Sequence, residues 1–231
     1  MILRIVTGIL FLACALHSWC QEDISNINLD RIPQKKVRCF ITELKENRVK
    51  SFNDIRASFS KWEDTTEYFC VNKHYLFREN LNSVWESYII NDMAELWCGK
   101  RVSYGVSVSK PLNKVLYRNE SKAGAHTGQI LFLNLKLMKG IYKLATAFEI
   151  TEIDPVKKII VFNYIEGGKS RGTQILRFIA TDDGCTEIEH KTFFKSDSHF
   201  RDKRLYPFFH KKLIDEFHSN VMKCRAGKNL N

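Results

Sequence analysis

Residues 163–170 read Asn-Tyr-Ile-Glu-Gly-Gly-Lys-Ser, and Gly168-Lys169-Ser170 spells the phosphate-holding end of a mononucleotide-binding loop. Such a loop is G-x-x-x-x-G-K-[ST] between a strand and a helix, because the amides at the helix start hold the phosphate. Here Asn163 stands in the first glycine position and the strand-like Thr173-Gln174-Ile175-Leu176 follows. Gly167 and Gly168 therefore read as a hairpin loop needing positive φ, with Lys169 and Arg171 at its solvated tip. No G-x-S-x-G, H-E-x-x-H or dinucleotide fingerprint is present. His199 and Asp202 lie three apart and His210 and His218 eight apart; neither is a metal spacing, and these histidines are expected at the surface. His190 differs. It alternates with Ile188, Thr192 and Phe194, while Glu187, Glu189 and Lys191 take the other face. It should point to the covered face of a sheet, where a polar group needs a partner. It reads first as a satisfied core histidine, then as a ligand contact or a general acid or base.

Around these residues the periodicity sets out the elements. Residues 68–78 are strand-like in aromatic and β-branched content, and Asn80 offers an N-cap. Leu81, Val84, Trp85, Tyr88 and Ile89 then mark one face of an amphipathic helix, followed by a short second helix near Ala94 to Trp97. From Arg101 the period is two: Val102, Tyr104, Val106 and Val108 alternate with Ser103, Gly105, Ser107 and Ser109, a half-buried strand. Lys114 to Arg118 is a shorter strand. Strands at 129–138, 142–153, 159–165, 173–180 and 186–194 follow, broken by Lys139-Gly140, Asp154-Pro155, Gly167-Gly168 and Asp182-Asp183-Gly184. Connections this short leave no room for crossover helices, so the sheet is an antiparallel meander. Pro207 suits a helix start, Phe209, Leu213, Phe217, Val221 and Cys224 make a stripe, and Gly227 lies past the end. Upstream, Phe52, Ile55, Ser58, Phe59 and Trp62 recur at helical spacing, so a helix is expected near 51–62; residues 38–44 fit strand or helix.

Composition bounds the function. The 231 residues carry a formal charge of +10, with 44% hydrophobic and 12% aromatic residues, enough for a globular core. The basic residues are scattered in short clusters, with no recognition helix, zinc-finger spacing or RNA signature, so no nucleic-acid partner is expected. Residues 1–20 have the charged, apolar and small-residue zones of a secretory signal peptide, cut near Cys20/Gln21, and no later stretch reaches membrane-spanning length. The expected protein is exported, periplasmic or secreted. Five cysteines then remain: Cys39, Cys70, Cys98, Cys185 and Cys224. None forms a C-x-x-C pair; several are expected as small buried hydrophobes, and no bridge is assigned. Asn119-Glu120-Ser121 is a glycosylation triplet in a eukaryotic route.

The order strand, helix, short helix, long meander, terminal helix resembles the helix-grip superfamily of START lipid-transfer domains, birch-pollen allergens and polyketide cyclase-like proteins. Local residues agree: Asn80-Leu81-Asn82-Ser83-Val84-Trp85 at the first helix, Glu95-Leu96-Trp97 before Arg101-Val102, and Asp183-Gly184-Cys185-Thr186-Glu187-Ile188-Glu189-His190 at the last strand. The resemblance covers roughly 68–225. It implies an α+β fold in which a curved antiparallel sheet of about seven strands wraps a long C-terminal helix; eight strand candidates are present. The expected layout is a signal peptide at 1–20, a partly helical extension at 21–66, the helix-grip domain at 67–226 and a tail at 227–231. The resemblance also implies an apolar cavity between sheet and helix. Its candidate lining is Trp85, Tyr104, Phe148, Phe162, Tyr164, His190 and Phe217, for a hydrophobic small molecule or lipid, with no cofactor or metal. A cyclase/aromatase- or hydrolase-like enzyme using the same cavity is the alternative, and an interaction domain with a filled core is the third.

Overall fold

A computed structural model describes residues 23–118, 120 and 124–228. The expected signal peptide lies outside them, as do Asn119 and Ser121 of the glycosylation triplet. The strands are β1 (Phe69–Phe77), β2 (Val102–Ser109), β3 (Lys114–Tyr117), β4 (Gln129–Leu137), β5 (Tyr142–Asp154), β6 (Ile159–Tyr164), β7 (Arg171–Ala180) and β8 (Thr186–Lys195). They form one antiparallel sheet in the order β1-β8-β7-β6-β5-β4-β2-β3. Residues 101–118 are two strands rather than one bent strand, because Val106 to Ser109 pair back on Lys114 to Tyr117 as a hairpin. The sheet therefore has eight strands, one more than the resemblance implied.

The helices are α1 (Lys35–Glu46), α2 (Leu81–Ile90), α3 (Met93–Leu96) and α4 (Tyr206–Lys228), with a wide turn at Arg201–Leu205 leading into the last. Asn80 caps α2 by accepting from the Ser83 amide at 3.0 Å. Helix α4 starts one residue before Pro207 and continues through Gly227, which was expected beyond its end. It packs with α2 and α3 on one face of the sheet, over a core of Leu131, Leu133, Phe148, Ile150, Phe162 and Leu176.

The opposite face is also covered. The helix expected near 51–62 is a single turn, Phe52–Asp54, closed by reciprocal Ser51 and Asp54 hydrogen bonds. The chain then runs extended, its Ser58 amide bonding the Tyr164 carbonyl at 2.7 Å, and Trp62 is 90% exposed rather than on a buried stripe. The longer helix of this segment is α1, over the stretch whose composition fitted strand or helix. Its Val37, Phe40, Ile41 and Leu44 pack on Val106, Val108, Ile130 and Phe132. A β-bulge between Tyr104 and Val106 turns β2 over, so Tyr104 faces α4 while Val106 and Val108 face α1. The half-buried reading of β2 thus gives way to a strand buried on both faces. Gly105 sits at the bulge because a Cβ there would lie 2.9 Å from Val37 and from the Phe132 carbonyl oxygen.

No disulfide joins the five cysteines. Cys39 and Cys70 are exposed rather than small buried hydrophobes, since α1 and β1 each turn those positions to solvent. Among the described residues no helix is long and apolar enough to cross a membrane.

Candidate functional site

The face of the sheet under α4 brings four of the seven candidate residues together. Phe148 on β5, Phe162 on β6 and Phe217 on α4 surround Trp97, which follows α3, and Tyr164 on β6 packs on Phe148. Trp97 stacks on Phe217 at a centroid distance of 4.2 Å and an interplanar angle of 19°, and lies 6.0 Å from Phe148. The rings expected to line a cavity pack on one another in this structure. Trp85 is elsewhere, edge-on to Phe178 at 5.2 Å under α2. Tyr104 is buried in the same core, but its hydroxyl turns away to donate to the Leu116 carbonyl at 2.8 Å. Trp97 was singled out in sequence only as part of the resemblance. Its indole Nε1–H is buried and has no hydrogen-bond partner among the described residues.

His190 lies beside this aromatic layer in a polar cluster that includes two histidines expected at the surface. His210 and His218 are 6% and 2% exposed, because α4 turns to the sheet the face holding His210, Ile214, Phe217, His218 and Val221. Proton placement follows from the acceptors. Gln174 Oε1 accepts from His190 Nε2–H at 3.0 Å and from His210 Nε2–H at 3.3 Å. Neutral His190 then accepts at Nδ1 from His218 Nε2–H at 3.0 Å. His218 Nδ1 in turn accepts from the Tyr88 hydroxyl at 2.5 Å. The remaining ring nitrogen, His210 Nδ1, is buried without a partner among the described residues. His190 is thus a satisfied core histidine.

Burial sets the electrostatics. It holds the His210 and His218 pKa values near 3, and His190 also falls well below the usual range, by burial and then by its two histidine neighbours. Burial raises Tyr88, Tyr164 and Tyr206, whose charged forms would be phenolates. Tyr164 and Tyr206 hydrogen-bond through their hydroxyls, and Tyr206 stacks on Phe194 at 3.5 Å and on His210 at 4.9 Å. The cluster is polar but uncharged at neutral pH. Its charged edge is at the rim, where the Tyr75 hydroxyl donates to Asp215 at 2.8 Å and Lys211 pairs with Asp215 at 2.6 Å. His190 and His218 bond each other and the other paired ring nitrogens meet Gln174 or Tyr88, and among the described residues no group of three His, Cys, Asp or Glu side chains is placed to hold a metal.

The Gly167-Gly168 turn joins β6 to β7 as the sequence implied, but of the two glycines expected at positive φ only Gly167, at +79°, has it. It borders a shallow hollow of about 220 Å³ with Lys195 and Asp197. Two of the nearby cations are paired, Arg171 with Glu63 at 3.0 Å and Lys195 with Glu67 at 2.9 Å.

An antiparallel sheet gripping a long C-terminal helix, with two short helices after the first strand, defines the helix-grip fold, and this chain has it. Among solved structures it is similar to norcoclaurine synthase from Thalictrum flavum in complex with dopamine and hydroxybenzaldehyde, at 12% identity and TM-score 0.50, over 73% of this chain and 94% of that one. A conserved protein from Geobacillus kaustophilus matches at 14% identity and TM-score 0.48, over 69% of this chain and 96% of its own. A Mycobacterium smegmatis protein matches at 11% and 0.46, over 72% and 92%. No family model matches the sequence, and no curated protein matches it. The likeness to norcoclaurine synthase, at TM-score 0.50, shows the fold alone and leaves the chemistry to the site.

Proposed function

We propose that the protein is an exported, non-catalytic binder of a hydrophobic small molecule or lipid, held between the sheet and α4. The observation that carries this reading is the Trp97 indole N–H, a donor without a partner inside a layer of Phe148, Phe162 and Phe217. A buried unpaired donor costs about 1–3 kcal/mol, and a guest with an apolar body and a carbonyl or hydroxyl oxygen would satisfy it. His210 Nδ1 is a matching unpaired acceptor. The surroundings are uncharged, so the guest is neutral at this end. Binding requires the stacked rings to part, with α4 and α3 moving from the sheet. A general base is most effective with a pKa near working pH, and His210 and His218, held near 3 by burial, do not meet that requirement.

Nile red, a neutral apolar dye with one carbonyl acceptor, tests the reading. Wild type should bind it saturably with a blue-shifted emission. Trp97→Phe keeps an aromatic ring but removes the donor, and should weaken binding about fivefold, the value of one hydrogen bond near 1 kcal/mol. No saturable binding, or equal affinity in the variant, would overturn it. A second reading, an interaction domain with a filled core, is favoured by the 4.2 Å stacking of Trp97 on Phe217. It requires the first of those two negative results.

A further inference from the structure

The β4–β5 hairpin is built differently from the other turns of the sheet. β5 pairs with β6 only from Phe148, which lies opposite Tyr164, whereas its pairing with β4 continues back to Tyr142 opposite Leu137. Five residues, Tyr142 to Thr146, lie beyond the Ile165–Ala147 hydrogen bond on that side, while on the other side β2 pairs with β4 as far as Leu135 and the Arg101 carbonyl accepts from the Lys136 amide, so the tip from Leu137 to Tyr142 is unflanked on both sides. At its tip Met138, Ile141 and Tyr142 are 61%, 86% and 56% exposed. Met138 and Lys139 carry φ of +50° and +59° beside Gly140 at +92°. A tip serving only to reverse the chain favours Asn, Asp or Gly at such positions. This one presents large apolar side chains instead, which contributes nothing to folding in water. Lys136, Lys139 and Lys143 flank them, and no acidic residue falls between Gln129 and Phe148.

A second patch of the same kind lies at the same end of the sheet. Strands β4, β6 and β8 all finish there, so the connection from β8 to α4 emerges beside the β6–β7 turn. Within and just after it Phe200 and Phe208 are 66% and 55% exposed, and the Lys212 ammonium sits 3.8 Å over the Phe208 ring. Exposed apolar side chains flanked by lysines, as at the Met138–Tyr142 tip and at Phe208, suit a bilayer interface: the apolar groups enter the acyl boundary while lysines reach the phosphates, and the exposed Glu166 and Asp197 at this end leave the tip as the stronger contact. We infer that this end of the protein docks on an anionic lipid bilayer, with the Met138–Tyr142 tip inserted and the start of α4 as a second contact. The charge complementarity selects an anionic lipid surface over an apolar protein face, and a net charge of +10 adds long-range attraction.

The experiment is co-sedimentation of the full chain with vesicles of phosphatidylcholine alone and of phosphatidylcholine with phosphatidylglycerol. Wild type should bind the mixed vesicles and release when salt is raised to about 0.5 M, where charge attraction is screened beyond a few ångströms. Ile141→Ser with Met138→Ser should lower partitioning by about tenfold or more, because two side chains lose their burial in the acyl boundary. Lys139→Glu with Lys143→Glu should lower it by a similar factor, at about 1 kcal/mol per cation removed. These exposed positions should leave the urea midpoint and Nile red binding unchanged, which separates docking from the interior site. Binding to neutral vesicles equal to that for anionic ones, no vesicle binding, or serine variants that partition like wild type would each overturn the inference. Capture of wild type by another protein with no vesicle binding would also count against it.

Discussion

At the scale of the residue, the molecule is governed by three histidines kept neutral. His190 and His218 each accept a hydrogen bond at Nδ1, a role that an imidazolium could not fill, while His210 donates from Nε2 to Gln174 Oε1. His190 was legible from its alternation with Ile188 and Thr192. His210 and His218 were not, because their spacing was tested against metal ligation and not against the buried face of α4. The available signal was that Leu213, Phe217 and Val221, already on the apolar stripe, share that face with both. The linkage sign follows from the depressed values. The folded state resists protonation down to about pH 3 while the unfolded chain takes up protons below about 6.5, so stability is constant with respect to these groups above 6.5 and falls on acidification. Each histidine contributes up to about 1.4 kcal/mol per pH unit. The urea midpoint should therefore drop steeply from roughly pH 7 to roughly pH 5, and His218→Gln should remove about one proton from the slope. A flat midpoint across that interval would show that the cluster is already charged or exposed.

At the scale of the element, the hairpins were readable and the helical extension was not. Each turn had glycine, aspartate or proline at its break, and the strands begin and end within two residues of the expected positions, because turn chemistry is local. The fold of residues 23–58 depends on contact with the far face of the sheet, which no local period records. The spacing of Phe52, Ile55, Phe59 and Trp62 imitates a helix, yet a capped turn and an extended run satisfy the chain with Phe52 and Ile55 buried. Likewise the alternation in β2 is even in sequence, but a bulge at Gly105, imposed by the approach of Val37, changes which face each valine takes. Close backbone approach also fixes the start of β7. Gly172 has φ of +130° opposite Phe194, and a Cβ there would lie 2.0 Å from the Phe193 carbonyl oxygen. Gly172→Ala should cost about 3 kcal/mol in equilibrium unfolding by forcing the two strands apart. An unchanged unfolding midpoint would mean that β7 and β8 pair differently at this end.

At the scale of the whole molecule, the sheet is a partition between two cores. One, under α1, joins the N-terminal segment to β2 through β5 and to Ile165; the other, under α4, holds the aromatic layer, with the histidine cluster beside it. The first braces the sheet from behind, so an opening between sheet and α4 can occur while the strands keep their pairing. This arrangement carries the central claim that the layer around Trp97 is a binding site held closed by its own rings. Native mass spectrometry of the protein purified from its own host tests that claim most directly. The account expects a mass above that of the bare chain, and release on mild activation of an apolar molecule bearing a carbonyl or hydroxyl oxygen. A spectrum with the bare chain alone, in protein that also fails to take up Nile red, would contradict it.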